Sequence, residues 1–270
     1  MNIFKILFFV TLLAIFFIYQ NNYITTTEYI IANNKIPKSF DGFKILQISD
    51  WHNKDFGTQL FAKIEKSNPN IVVLTGDFVD AYSPNKKLAV KFIEKLTEKY
   101  PVYFITGNHE EALFRRKRLM QEITKEPGII YLENTSAEIR KNNEQITIYG
   151  IKDYAYNKNV DFDMKETIDE DNTNFSILLA HQPQHFNIYS KYNVDLVLSG
   201  HEHGGQIRLP GIGSIYSHQG WFAPWTAGKH KLNNSTMIVS RGLGNSELFP
   251  IRLFNQPELV LITLETAQSQ

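Results

Sequence analysis

The chain of 270 residues contains no cysteine and carries no net charge, its 28 Lys and Arg being matched by 28 Asp and Glu. Without cysteine there is no disulfide, thiolate zinc site, iron–sulfur cluster, thiol nucleophile or lipid-modified cysteine. That absence assigns no compartment, since it suits oxidising and reducing surroundings alike. Without surplus basic charge there is no diffuse field to grip nucleic-acid phosphates, which argues against a histone-like or basic-arm DNA binder. A composition 43% hydrophobic and 21% charged fits neither disorder nor a simple coiled coil. What remains is one fairly large domain, or two small ones, with a substantial core. It also holds eight histidines.

The amino terminus stands apart. Residues 6–19, ILFFVTLLAIFFIY, are apolar except for Thr11, and with Ile3 and Phe4 they approach a short membrane span interrupted only by Lys5. No polar face exists, so a surface helix is excluded; a buried core element is the alternative to a signal peptide or anchor. The run ends in Tyr19-Gln20-Asn21-Asn22-Tyr23, without the small residues of a signal cleavage site, which favours a retained anchor. Lys5 precedes the segment and no Lys or Arg follows until Lys35, which places the N-terminus inside the cell membrane and the body outside the cytoplasm. Residues 1–20 are then anchor or signal segment, 21–42 a tether and first strand, with the polar stretch 20–27 as the tether, and 43–270 a single folded domain.

Beyond Phe43 short apolar runs have the form of strands buried on both faces. They are Lys44-Ile45-Leu46-Gln47-Ile48, Ile71-Val72-Val73-Leu74, Val102-Tyr103-Phe104-Ile105, Ile177-Leu178-Leu179-Ala180 and Leu196-Val197-Leu198. Helical spacing occupies 58–67 and 86–99 between the first three, which implies right-handed crossovers and a largely parallel sheet. The later segments 145–150, 206–209, 235–240 and 258–264 are richer in strands and turns, and are expected to form a second, mixed sheet packed on the first.

Each run stops at a residue type that binds metals. Ile48-Ser49 is followed by Asp50-Trp51-His52, Thr75-Gly76 by Asp77, Thr106-Gly107 by Asn108-His109-Glu110, Ala180 by His181, and Ser199-Gly200 by His201-Glu202-His203. Ligands of open α/β sheets bind beyond the carboxyl ends of the strands, so these residues should converge in space. A single Gly-Asp or Gly-Asn would be an ordinary turn. Their joint occurrence points to a mixed His/Asp/Asn metal centre.

In order, Asp50-Trp51-His52, Gly76-Asp77-Phe78-Val79-Asp80, Gly107-Asn108-His109-Glu110, the lone His181 and Gly200-His201-Glu202-His203 resemble the calcineurin-like metallophosphoesterase family. The segments Gly204-Gly205-Gln206, Ser240-Arg241-Gly242-Leu243-Gly244 and Pro250-Ile251-Arg252-Leu253-Phe254 are similar to its membrane-anchored bacterial branch. Asn53 departs from the pattern, in a loop position and not a ligand position. The resemblance implies an α/β fold, a four-layer α/β/β/α sandwich of two mixed sheets, here preceded by one transmembrane helix. It implies two divalent ions (Mn, Zn, Fe or Mg), one on Asp50, His52, Asp77 and His203, the other on Asp77, Asn108, His181 and His201. A hydroxide bridging them would attack phosphorus, with His109 as the general acid. Asp80 would orient a ligand such as His52 or fix its turn. Glu110 has an equally plain role as an acidic residue in the first turn of a helix. The expected activity is metal-dependent hydrolysis of a phosphodiester, phosphomonoester or pyrophosphate, with a cell-envelope or lipid-linked substrate ranked ahead of nucleotides. The rivals are a nucleotide phosphatase and a non-catalytic, metal-dependent envelope scaffold.

Other features carry less. Arg115-Arg116-Lys117-Arg118 could meet an anion but suits a solvated helix face, and Arg241 could approach a phosphate. Trp221-Phe222-Ala223-Pro224-Trp225 suits an interfacial loop or a packed cover equally. His185, His218 and His230 fall outside the blocks and are taken as structural.

Overall fold

The computed structural model describes residues 3–114, 116–153, 159–245 and 250–267. Helix α1 (Ile3–Asn22) is, among the described residues, the one helix long and apolar enough to cross a membrane. Strand β1 (Thr25–Asn33) begins just beyond it. The stretch expected to be a tether is therefore mostly the end of this helix and the start of this strand. The helix end is held by the body: Asn21 Nδ2 donates to the Arg252 carbonyl at 3.2 Å, and the Arg252 N–H donates to Asn21 Oδ1 at 2.7 Å.

Next come β2 (Lys44–Ile48), α2 (Gln59–Ser67), β3 (Ile71–Thr75), α3 (Lys86–Thr97) and β4 (Val102–Ile105). They are followed by α4 (Asn108–Ala112), α5 (Arg116–Ile123), β5 (Ile129–Tyr131), β6 (Thr135–Lys141), β7 (Glu144–Gly150), α6 (Val160–Thr167), β8 (Ser176–Leu179), α7 (Phe186–Tyr189) and β9 (Leu196–Ser199). Two hairpins come next, β10 (Arg208–Leu209) with β11 (Gly213–Ser214) and β12 (Tyr216–Ser217) with β13 (Gly220–Trp221). The last strands are β14 (Gly228–Leu232), β15 (Ser235–Val239) and β16 (Glu258–Thr266).

One sheet has the order β1-β16-β2-β3-β4-β5 and the other β14-β15-β9-β8-β7-β6. Strands β2 to β5 run parallel, as do β7, β8, β9 and β15, so both sheets direct strand carboxyl ends toward one edge of the molecule. The alternation of side chains along each strand builds three apolar layers. Ile45, Val73 and Ile105 face inward to meet Ile177, Leu198 and Ile238 of the other sheet. Leu46, Leu74 and Phe104 face outward against Leu60, Phe92 and Leu119 of α2, α3 and α5. Leu178, Val197 and Met237 pack outward on Met164, Phe186 and Tyr189 of α6 and α7. The result is the expected α/β/β/α order. One assignment differs: β16, expected in the second sheet, lies in the first between β1 and β2, where Val260 and Ile262 fill the inner layer and Leu259 and Leu261 the outer one. The 206–209 segment likewise contributes to a separate small hairpin.

Because Ile262 is fully buried between the sheets, Ile262→Ala should destabilise the protein by about 2–5 kcal/mol. A denaturant titration of the detergent-solubilised chain reads this as a lower midpoint; an unchanged midpoint would contradict the packing.

Candidate metal centre

The carboxyl ends of β2, β3, β4, β8 and β9 deliver the site. Trp51 turns inward, buried against Phe78 and Phe92 with ring centroids at 4.6 Å to each, so Asp50 and His52 on either side of it face the other way. Left-handed backbone recurs at the turns: φ is 49° at Asp50, 49° at His52, 51° at Asp77, 71° at His201 and 48° at His203. Such conformations cost about 1 kcal/mol or more for non-glycine residues and cluster at functional sites. Glycines supply the close approaches: a Cβ on Gly107 would overlap Asp77 Oδ1, and one on Gly200 would overlap Ser49 Oγ and Asp50 Oδ2. Asn53, at φ 55°, accepts from the N–H groups of Asp80 and Asn85 through Oδ1 and ties the two loops together.

The donor atoms of Asp50, His52, Asp77 and His203 lie within 4.8 Å of one another, as do those of Asp77, His181 and His201. Asp77 is common to both groups. Asn108 Oδ1 joins the second, 3.2 Å from His181 Nε2 and 2.8 Å from His201 Nδ1. All seven residues expected at the centre are thus together. Asp80 and His109 border it with His52, in a third group of the same spread.

The surrounding hydrogen bonds direct lone pairs at the centre. His181 donates from Nδ1 to the Thr75 carbonyl at 2.7 Å, leaving Nε2 unprotonated in the neutral ring, 3.2 Å from Asp77 Oδ2. His203 does the same toward the Gly244 carbonyl at 3.3 Å, and its Nε2 comes within 3.2 Å of His52 Nε2. Asp50 Oδ1 accepts the His201 N–H at 2.9 Å, and Asp77 Oδ1 accepts the His109 N–H at 2.8 Å. Burial pushes His52 down to about 4 and holds His201 and His203 well below their ordinary value, so these imidazoles are neutral donors. Burial pushes Asp50 up to about 6. It opposes ionisation of Asp77 as well, but the adjoining His181 ring, helped by His109 and His52, holds that carboxyl well below its usual range. Buried Asp50 Oδ2 and His52 Nδ1 have no hydrogen-bond partner, and Asp80 Oδ2 is too far from the latter at 4.0 Å. Neutral nitrogen and oxygen donors crowded beside two carboxylates, some unsatisfied, fit divalent cations of the Mn, Fe or Zn type.

Four residues outside the expected ligand set support the centre. Glu110, buried, accepts the N–H groups of Asp77 (2.9 Å), Val79 (2.7 Å) and Gly107 (2.8 Å), and so fixes both metal-facing turns from beneath. Its signal was an acidic residue three places after Gly107 at the start of α4. The His218 ring lies tilted against that of His201 with centroids 4.8 Å apart, so it belongs beside the centre and not among the structural histidines. Asp153 is buried beyond the end of β7 and bonded to Gln182, next to His181. Fully buried Arg252 donates to the Gly244 carbonyl that also receives His203. Nothing local marks His218 and Asp153, which the fold brings in from elsewhere, and the resemblance of the 250–254 segment assigns Arg252 no role. Conversely, Arg241 is paired with Glu258 at 2.9 Å and not offered to a phosphate. Arg116 pairs with Glu111 and Glu133, Arg118 with Glu122, and Arg115 lies outside the described residues. His185 and His230 meet Gln182 Oε1 and the Ala227 carbonyl.

Residues 43–205 match the family model described as calcineurin-like phosphoesterase. The chain is 32% identical over 251 residues to the uncharacterized metallophosphoesterase YkuE of Bacillus subtilis (strain 168), covering 90% of this chain and 86% of that protein. It is 28% identical over 234 residues to phosphodiesterase YaeI of Escherichia coli (strain K12), covering 82% of each. The fold is similar to that of TT1561 of Thermus thermophilus, with a TM-score of 0.51 at 13% identity over 74% of this chain and 90% of that one. The chain belongs to the calcineurin-like phosphoesterase family, hydrolases that use divalent metals.

The crowding has a pH signature. In metal-free protein Asp153 and Glu110 titrate at about 7 and about 8, raised by burial and then by charged neighbours, and His181 lies well above its ordinary 6.5 because Asp77 outweighs burial. Each group binds more protons folded than unfolded, so its contribution is present in full at low pH and is lost as pH rises through the folded value. The depressed His52, His201 and His203 act oppositely, but their gain is complete above the ordinary histidine value of 6.5. Chelated protein should therefore lose stability from pH 6.5 to pH 8, seen as a falling Tm, and Mn²⁺ should remove the fall. A flat or rising Tm over that window would contradict this electrostatic description.

Proposed function

We propose that this member of the calcineurin-like phosphoesterase family hydrolyses phosphodiesters of the cell envelope, lipid-linked ones among them, from a body held outside the cytoplasm by α1. The observation that carries the reading is the sharing of Asp77 by two donor groups whose atoms each lie within 4.8 Å of one another. One cation would be held by Asp50, His52, Asp77 and His203, and a second by Asp77, Asn108, His181 and His201. Divalent ions there would supply Lewis acidity toward phosphate oxygens and toward water, which a neutral protein surface does not. Mn, Zn, Fe and Mg are all compatible with such a donor set.

The protein's own groups do the rest. His109 accepts the Ala81 N–H through Nδ1 at 3.0 Å, so its neutral ring carries the proton on Nε2. That places an N–H at the border of the centre, where it would donate a hydrogen bond to the leaving oxygen and stabilise the charge that develops there. Asp77 takes part twice, through its carboxylate and by fixing the His109 backbone. Asp80 holds the adjoining turn by accepting the N–H groups of Tyr82 and Ser83. A diester preference rests on the likeness to YaeI, described as a phosphodiesterase. An envelope setting rests on α1 and on the distribution of Lys about it.

After chelation, the full chain in detergent should lose hydrolysis of an aryl phosphodiester and regain it with Mn²⁺. Asp77→Ala should abolish it, and His109→Gln should lower kcat by roughly 10²–10³ with Mn²⁺ affinity kept. Metal-independent turnover, or full activity in Asp77→Ala, would exclude the mechanism.

A further inference from the structure

We propose that the two hairpins β10–β13 form a second membrane contact, which rests the turn of the first and the open end of the second in the headgroup and acyl boundary of the bilayer crossed by α1. This rests on the anchored reading above. A helix of 20 residues spans about 30 Å, the thickness of the hydrocarbon core, so α1 has no length to spare for lifting the body away from the surface. Phe16 lies six residues before the helix end, about 9 Å along it. Its ring meets that of Phe254 with centroids 5.8 Å apart. Phe254 is therefore drawn to the level of the last turns of α1, at or inside the membrane boundary.

The hairpins are bound to this same segment. Ile207 bridges Leu253, with the Arg208 N–H donating to the Leu253 carbonyl at 3.0 Å and the Leu253 N–H to that of Gln206 at 3.1 Å. From there the chain presents Ile212 (66% exposed), Trp221 (71%) and Phe222 (63%) to the outside. Phe222 and Phe254 both hold φ at 50°, a conformation bulky side chains rarely adopt. Strain that keeps two aromatic rings outward has a ready explanation if those rings are buried in lipid. At the membrane end of α1 the rings of Tyr19 and Tyr23 stack at 4.8 Å and Lys63 lies 4.8 Å from the Tyr23 centroid, an aromatic and cationic pairing suited to headgroups. The occupant is thus the bilayer surface, not a protein groove or a second copy.

The contact bears on the metal centre because one hairpin serves both. Its turn carries His218, tilted against His201 with ring centroids 4.8 Å apart, and its open end, where Trp221 pairs with Tyr216, faces the lipid. The mouth beside His218 is accordingly held close to the headgroup plane, where phosphodiesters of membrane lipids are presented.

The full chain reconstituted in nanodiscs of phosphatidylcholine and phosphatidylglycerol, with and without brominated acyl chains, tests this by tryptophan fluorescence. Bromination should remove the share of emission due to Trp221, and Trp221→Phe, which retains Trp51 and Trp225, should abolish that loss. The double variant I212S/F222S should stay with the disc through α1 while Trp221 becomes open to acrylamide and insensitive to bromination. If wild-type protein co-elutes with the disc but Trp221 is quenched by acrylamide alone, the contact is overturned and the anchor stands. If the protein elutes apart from the disc, the anchored reading fails and the contact with it.

Discussion

The carboxylate of Asp77 is the constraint on which the rest of the structure depends. It is buried, ionised by its neighbours, and placed where two sets of donors meet. Its Oδ2 stands 3.2 Å from His181 Nε2 and 3.8 Å from His52 Nε2, and its Oδ1 receives the His109 N–H. Holding a charge there requires that nothing near it be able to move. Glu110 grips the Asp77 and Gly107 N–H groups from below, and left-handed turns set the ligands on the strand ends above. Local strain is accepted where the donors must converge, and three apolar layers supply the stability that sustains it.

Much of this was legible in the chain because strand ends are short-range signals. An apolar run followed by Gly-Asp, Gly-Asn or Gly-His states both the strand and what it carries, and the two-residue alternation separates inner from outer faces, as at Ile45 and Leu46. What escaped depends on distance along the chain. Strand β16 is apolar on both faces and so could enter either sheet; its place beside β1 is decided by a pairing that joins the two ends of the molecule. His218 gives no local sign of its proximity to His201, since it sits in the turn of a separate hairpin, beyond β10 and β11. Arg252 lies in a segment that resembles the family, but its role emerges only where its side chain is buried against three backbone carbonyls, those of Gly244, Arg241 and Asn255.

Arg252 also joins the two ends of the molecule. Its backbone clasps Asn21 at the end of α1, and its guanidinium donates to the Gly244 carbonyl that orients His203. Helix α1 and the loops at the candidate metal centre are therefore consecutive parts of one hydrogen-bonded chain. A neutral protein can then serve a phosphate substrate without a basic surface, since divalent cations of the kind the family uses would supply positive charge at the donor groups that share Asp77.

Two cations sharing Asp77 is what the proposed chemistry requires. Anomalous diffraction from crystals grown with Mn²⁺, recorded above the manganese edge, tests it most directly. Two peaks are expected, one bounded by Asp50, His52, Asp77 and His203 and the other by Asp77, Asn108, His181 and His201, with the Asp77 carboxylate between them. A single peak, or peaks that leave Asp77 uncoordinated, would contradict it.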